Sequence, residues 1–194
     1  MGKYTKIPQD TFNGMQLDAG ILLYNFNIED AISGTDAGFT DEDFICATTG
    51  GVTAECKAEY SDLAEDVDNA PTNVKEFMHL DGWTCNLQFT SLSNDPEGIK
   101  LALGAAERDG AKVTPRRNLK QGDFGDVWWV GDKANGGFVA IHLMNALSSE
   151  GFSLKTEKAE KGQIDVTLTG YVSLAQQDVV PMEFYSVDGE DESE

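Results

Sequence analysis

Between residues 52 and 60 apolar and polar side chains alternate without a break. Val52, Ala54, Cys56, Ala58 and Tyr60 fall on one side, and Thr53, Glu55, Lys57 and Glu59 on the other. A period of two predicts a strand with one packed face and one wet face. A second alternating strand opens at Gly82. Trp83, Cys85, Leu87 and Phe89 face one way, and Thr84, Asn86, Gln88 and Thr90 the other, so its wet face is polar but uncharged. Residues 61–81 between them carry Asp62, Glu65, Asp66, Asp68 and the run Asn69-Ala70-Pro71. They read as a long exposed loop, which in a compact domain is uncommon unless it has a function.

The rest of the pattern is mostly strand. Residues 1–18 are polar and irregular and read as an arm. Residues 19–26 (AGILLYNF) predict a first strand, and the acidic stretch 27–44, with Gly34 and Gly38, a loop. One helix is expected, over 95–107. Asp95 can cap it, Pro96 suits the first helical position, and Ile99, Ala102, Leu103 and Ala106 share one face. Gly104 inside that span weakens the helix by about 1 kcal/mol against alanine. Residues 126–130 (DVWWV) form a short strand apolar on both faces, and Asn135-Gly136-Gly137 turns into a strand over 138–147. A second hairpin pairs 152–157 with 163–173, where Ile164, Val166 and Leu168 alternate with Asp165, Thr167 and Thr169. Residues 179–187 form the last strand, and 188–194 an acidic tail. About eight strands and one helix predict an all-β fold, a sandwich or barrel of two packed sheets with a helix on its flank, over residues 19–187.

Charge alters this picture most. The chain of 194 residues has 14 basic and 34 acidic residues, a net charge of −20. Neutralising DNA phosphates takes clustered Lys and Arg, so tight DNA binding is not expected. The acidity is uneven: twelve acids and one base, Lys57, lie between residues 29 and 68, whereas 112–120 holds Lys112, Arg116, Arg117 and Lys120 and no acid. Such segments serve either as solvated surface or as complementary patches that meet between neighbouring copies. In the second case Asp62, Glu65, Asp66 and Asp68 would face Lys112, Arg116, Arg117 and Lys120 of a neighbour. No apolar run reaches the length of a membrane span, and the first residues have no secretory signal pattern, so a cytoplasmic site of synthesis is expected.

Candidate chemistry is sparse. Cys46, Cys56 and Cys85 have no metal-ligand spacing and read as buried free thiols. Neither His79 nor His142 has a nucleophile placed near it by sequence, and both read as structural. Asp66 and Asp68 would open a calcium loop, but Pro71 and Phe77 stand where Gly and Glu are required. Asp41-Glu42-Asp43 remains a weak cation candidate. Of Trp128 and Trp129, successive residues of one strand, one indole belongs to the core and the other to a subunit contact or a ligand platform. Neither a cofactor nor an enzymatic activity is expected.

Several segments of the second half occur in a familiar order. They are Thr114-Pro115-Arg116-Arg117-Asn118-Leu119-Lys120, Asp126-Val127-Trp128-Trp129-Val130-Gly131-Asp132, residues 140–148 (AIHLMNALS), Phe152-Ser153-Leu154, and residues 177–185 (QDVVPMEFY). In the first half Asp66-Val67-Asp68-Asn69-Ala70-Pro71 and the Gly82-Trp83 strand entry match more loosely. Over roughly residues 50–186 this order resembles the major tail proteins, or tail tube proteins, of long non-contractile phage tails of Gram-positive bacteria. The stretch 29–43 and the tail 189–194 lie outside the resemblance.

The resemblance implies two packed β-sheets with one flanking helix, related to the type VI secretion tube protein. It also implies hexameric rings stacked into a tube, with one sheet of each subunit lining a conduit for DNA ejection. The loop between the first two lining strands and the terminal arm would bridge rings. Partners would be further copies of the chain and the tape-measure and tail-terminator proteins, and DNA would pass without specific binding. The location would be the virion tail, assembled in the host cytoplasm. On this reading the lumen-facing residues are Thr53, Glu55, Lys57, Glu59, Thr84, Asn86, Gln88, Thr90, Asp165, Thr167 and Thr169. The alternative from another class is a monomeric acidic β-sandwich binding module that recognises carbohydrate or a host surface through Trp128 or Trp129. A calcium-dependent hydrolase is a third, weaker reading.

Overall fold

The computed structural model describes residues 7–35 and 37–189. The start of the expected arm, residues 1–6, and the acidic tail from residue 190 lie outside the described residues. The strands are β1 (Ile21–Leu23), β2 (Thr48–Asp62), β3 (Met78–Ser91), β4 (Ala106–Asp109), β5 (Lys112–Pro115), β6 (Gly125–Asp132), β7 (Phe138–Ser148), β8 (Ser153–Lys155), β9 (Gln163–Thr169) and β10 (Met182–Val187). Two short helices, α1 (Ile28–Ile32) and α2 (Pro96–Leu103), join them.

Eight strands are joined by hydrogen bonds: six follow the path β1-β6-β7-β9-β3-β2, and off it β10 pairs with β7 and β8 with β9. The path folds over at β7. Its first part pairs with β6 and β10, while Leu147 and Ser148 at its end pair with Thr169 and Leu168 of β9. Asn145 marks the bend. Its φ is +47°, its N–H donates to Asp126 Oδ1 at 3.0 Å and its amide donates to the Tyr171 carbonyl at 3.0 Å. The result is a mostly-β fold of two packed sheets, with no barrel closure among the described residues.

The core lies between the sheets, and the period-two pattern fills it from both sides. Leu22, Val127, Trp129 and Leu143 meet Cys85, Leu87, Phe89, Ile164, Val166 and Leu168, with Ala102 of α2 closing one end. Leu87 stands opposite Leu168, and Phe89 opposite Val166. Each fully buried leucine here contributes about 2 kcal/mol through removal from water. Trp129 is locked by its indole N–H, which donates to the Ala19 carbonyl at 2.9 Å. Gly20 permits this approach: its φ is +64°, and a Cβ there would lie 2.5 Å from the Val130 carbonyl oxygen.

Several expected boundaries move. The strand expected over 19–26 shrinks to Ile21–Leu23. The loop expected over 27–44 contains α1, because the Asn27 side chain accepts from the N–H groups of Glu29 and Asp30 and caps it. This segment lies on the outer face of β6 and β7, where Phe26 and Ile28 cover Leu23, Trp128 and Ala140. The helix expected over 95–107 begins where its capping residue places it, with the Asp95 carboxylate accepting from Gly98 N–H, but ends at Leu103. Gly104, at φ +68°, turns the chain out of the helix, and Ala106 begins the small β4–β5 hairpin instead. The loop expected over 61–81 narrows to residues 63–77. The ladder continues through Tyr60↔Leu80, Ser61↔His79 and Asp62↔Met78 beyond an irregularity at Glu59/Tyr60. That irregularity breaks the alternation that predicts the strand. The arm is also less irregular than expected: Leu17 N–H donates to the Asp132 carbonyl at 3.1 Å and Ala134 N–H to the Met15 carbonyl at 2.8 Å.

Candidate functional site

The wet faces of β2, β3 and β9 form one surface. Register places Thr53, Gln88 and Thr167 in one cross-strand row, and Glu55, Asn86 and Thr169 in the next. Lys57 stands opposite Thr84, and Thr90 opposite Asp165. Glu59 lies one row beyond, with the Thr84 hydroxyl donating to its carboxylate at 2.7 Å. All eleven residues expected on the lumen therefore share one face of one sheet. Hydrogen bonds run along the rows from strand to strand, Thr90 Oγ1 donating to Asp165 Oδ1 at 2.8 Å and Thr169 Oγ1 to Asn86 Oδ1 at 2.8 Å, and Thr167 Oγ1 donates to Glu150 at 3.1 Å. Glu150 is not among the sequence candidates. Its position before Gly151 in a turn carries no periodic signal, and only the fold of 149–152 over β9 brings it to this face.

The surface carries the carboxylates of Glu55, Glu59, Glu150 and Asp165 against the single ammonium of Lys57. Threonine hydroxyls and amides occupy the remaining positions. Such a surface is wettable and net acidic, and its side chains offer hydrogen bonds without an apolar hold. Its inner face is less buried than expected. Ala54 is exposed, Cys56 and Ala58 are half-buried, and Tyr60 is 61% exposed. Beyond Glu55 the β2–β3 hairpin outruns β9, which pairs with β3 only from Asn86, opposite Glu55, to Ser91. Leu63, Val67, Met78, Leu80 and Trp83 are exposed on this projecting part.

The acidic and basic segments also find their places. Asp62 ends β2, with its carboxylate accepting from Ala64 N–H at 2.9 Å, while Glu65, Asp66 and Asp68 sit in the loop 63–77 at the hairpin tip. Lys112, Arg116, Arg117 and Lys120 lie on and after β5. Two of these bases are paired within the chain: Arg116 with Asp123 and Glu107, and Lys120 with Glu107 at 2.5 Å. Lys112 and Arg117 have no ion-pair partner among the described residues. The Asp123 carboxyl is held below its usual range first by the backbone N–H of Lys120 and then by Arg116. Hydrogen bonding and charge from Lys120 lower Glu107 in the same way.

The remaining candidates resolve into structural contacts. Asp43 accepts from Asn25, from Thr40 N–H at 2.8 Å and from Thr40 Oγ1 at 2.9 Å; these bonds, Asn25 first, lower its pKa and close a turn. Among the described residues no group of three His, Cys, Asp or Glu gathers in an arrangement that could hold a metal ion. Trp128 and Trp129 are both buried, at 7% and 8% exposure, on opposite faces of β6. The expected exposed indole is covered by the chain's own segment around Phe26. His142 stacks on Trp128 with ring centroids 3.9 Å apart, between Glu183 at 3.4 Å and Asp126 at 3.6 Å. His79 is exposed on β3.

No protein-family model matches the chain, and no curated protein matches it at a significant level.

Proposed function

We propose that the chain is the structural subunit of a hollow tube, of the phage tail tube kind, through which DNA moves without being held. The observation that carries this reading is the surface of β2, β3 and β9: eleven polar side chains on one sheet whose outermost strand, β2, is fifteen residues long and has no strand on its far side among the described residues. A long open edge is a template for another chain. A head-to-tail contact between β2 of one copy and the β8 side of the next closes the edges when the rotation closes into a ring.

Ring size follows from strand spacing. Each subunit offers four strand positions, β2, β3, β9 and β8 with the end of β7. Six subunits, the number the resemblance implies, give about 24 strands at about 4.8 Å, a circumference of about 115 Å and a backbone diameter of about 37 Å, wider once the strands tilt. Three subunits would give about 18 Å, which side chains would largely fill. The larger ring leaves an aqueous channel, and its acidic wall repels phosphates.

Negative-stain electron microscopy of concentrated full-length protein is the test. Rings or tubes with a stain-filled centre are expected. Discrete compact particles that stay monomeric across concentration, or a density map placing Glu55 and Gln88 on an outer surface, would overturn the proposal.

A further inference from the structure

Two of the three cysteines are cross-strand partners. Cys56 of β2 stands directly opposite Cys85 of β3, on the inner face of the hairpin. Directly opposed residues of antiparallel strands have Cα atoms about 4.5–5.5 Å apart. That lies inside the range of about 4.4–6.8 Å that a disulfide spans. The two Sγ atoms are 2.7 Å apart, closer than non-bonded sulfurs ordinarily approach, so no backbone movement is needed to join them. Cys46, the third cysteine, is buried before β2 begins and has no such partner.

We propose that Cys56 and Cys85 are an oxidation site, joined into a disulfide across β2 and β3 by exchange with a low-molecular-weight disulfide. The environment sets the order of events. Cys85 is fully buried, and burial followed by the neighbouring Cys56 sulfur pushes its thiol pKa up. Cys56 is half-buried, beside exposed Ala54, where the hairpin begins to leave the body. Cys56 therefore reacts first. It loses its proton to solvent and its thiolate attacks one sulfur of the small disulfide, releasing one small thiolate, which takes up a proton. Cys85 then loses its proton and attacks the Cys56 sulfur of the mixed disulfide, expelling the second small thiolate. Two protein thiols are oxidised and one small disulfide is reduced to two thiols. The bridge staples the hairpin at the point where its inner face loses cover. The inference is independent of tube assembly.

The test uses the full chain, reduced and then equilibrated with oxidised glutathione. Thiols titrated after unfolding should fall from three to one. Peptide mass mapping should find the Cys56 and Cys85 peptides linked, and the melting temperature should rise by about 5–10 °C over the reduced protein. Cys46→Ala should still lose two thiols. Cys56→Ala should lose none within the chain. Three remaining thiols, a bridge that uses Cys46, a bridge between two chains, or glutathione retained on Cys56 with Cys85 still reduced would each overturn the proposal. The mapping on the unmodified sequence decides the matter even where a variant fails to fold.

Discussion

Asp123 is held from two sides: its carboxylate accepts from Lys120 N–H at 2.8 Å and pairs with Arg116. Both side chains are largely buried, at 5% and 13% exposure, and Arg116 keeps a second, longer contact with Glu107 at 3.5 Å when the Asp123 charge is removed. Asp123→Asn should cost about 1–2 kcal/mol at neutral pH in urea melts, the loss of a charge-assisted contact to Arg116. The folded pKa of Asp123 is depressed, so its contribution is present above the ordinary carboxylate range and is lost as pH falls through the folded value. The variant should therefore lose less stability on acidification than the parent does, and melts repeated below the ordinary carboxylate range check this. Parallel acid limbs would show that Asp123 is not a principal acid-sensitive group. At this scale the sequence is partly misleading. Arg116 and Lys120 look like free bases awaiting a neighbour, because their partners Glu107 and Asp123 lie outside the basic run and only the turn after β5 brings them back.

Among the elements, those whose side chains alternate over a packed face are legible in the sequence. The periodicity places β6, β7 and β9 within a few residues and assigns the packed side of β3 from Cys85 to Phe89, whereas on the expected packed side of β2 Ala54 and Tyr60 are exposed. Ends are harder. Backbone pairing carries β2 and β3 past the point where burial can impose a pattern. The β4–β5 hairpin escapes the pattern although Asp109-Gly110 is a turn signal, because Ala106 continues the apolar face of α2. Gly104 decides that boundary. With φ at +68° and a new Cβ only 3.2 Å from Leu147 Cδ1, Gly104→Ala should destabilise the protein by about 1–3 kcal/mol. An alanine in a continuing helix would have stabilised it by about 1 kcal/mol. The sign of the change in a denaturant melt therefore reports which conformation residue 104 adopts.

For the whole molecule, the net charge of −20 opposes association at long range, while the open β2 edge and the exposed apolar residues of the hairpin favour it at contact. Screening weakens the first and leaves the second, so sedimentation should show larger species as salt rises from below to above the physiological range, where the Debye length falls under about 8 Å. Larger species at low salt instead would mean that Lys112 and Arg117 meeting the acidic tip dominate. The proposed channel wall has its own test. Replacing Glu55 and Glu59 by Lys reverses the charge at two exposed positions whose side chains carry no core packing. The variant should assemble as the parent does, since neither residue enters the sandwich. Repeated around a ring, the new ammonium groups would face any duplex inside. Assembled parent tubes should leave duplex DNA in the supernatant on co-sedimentation, whereas variant tubes should carry it down at low salt and release it steeply as salt rises. DNA that ignores both tubes would place Glu55 and Glu59 away from the lumen, and with them the sheet of β2, β3 and β9.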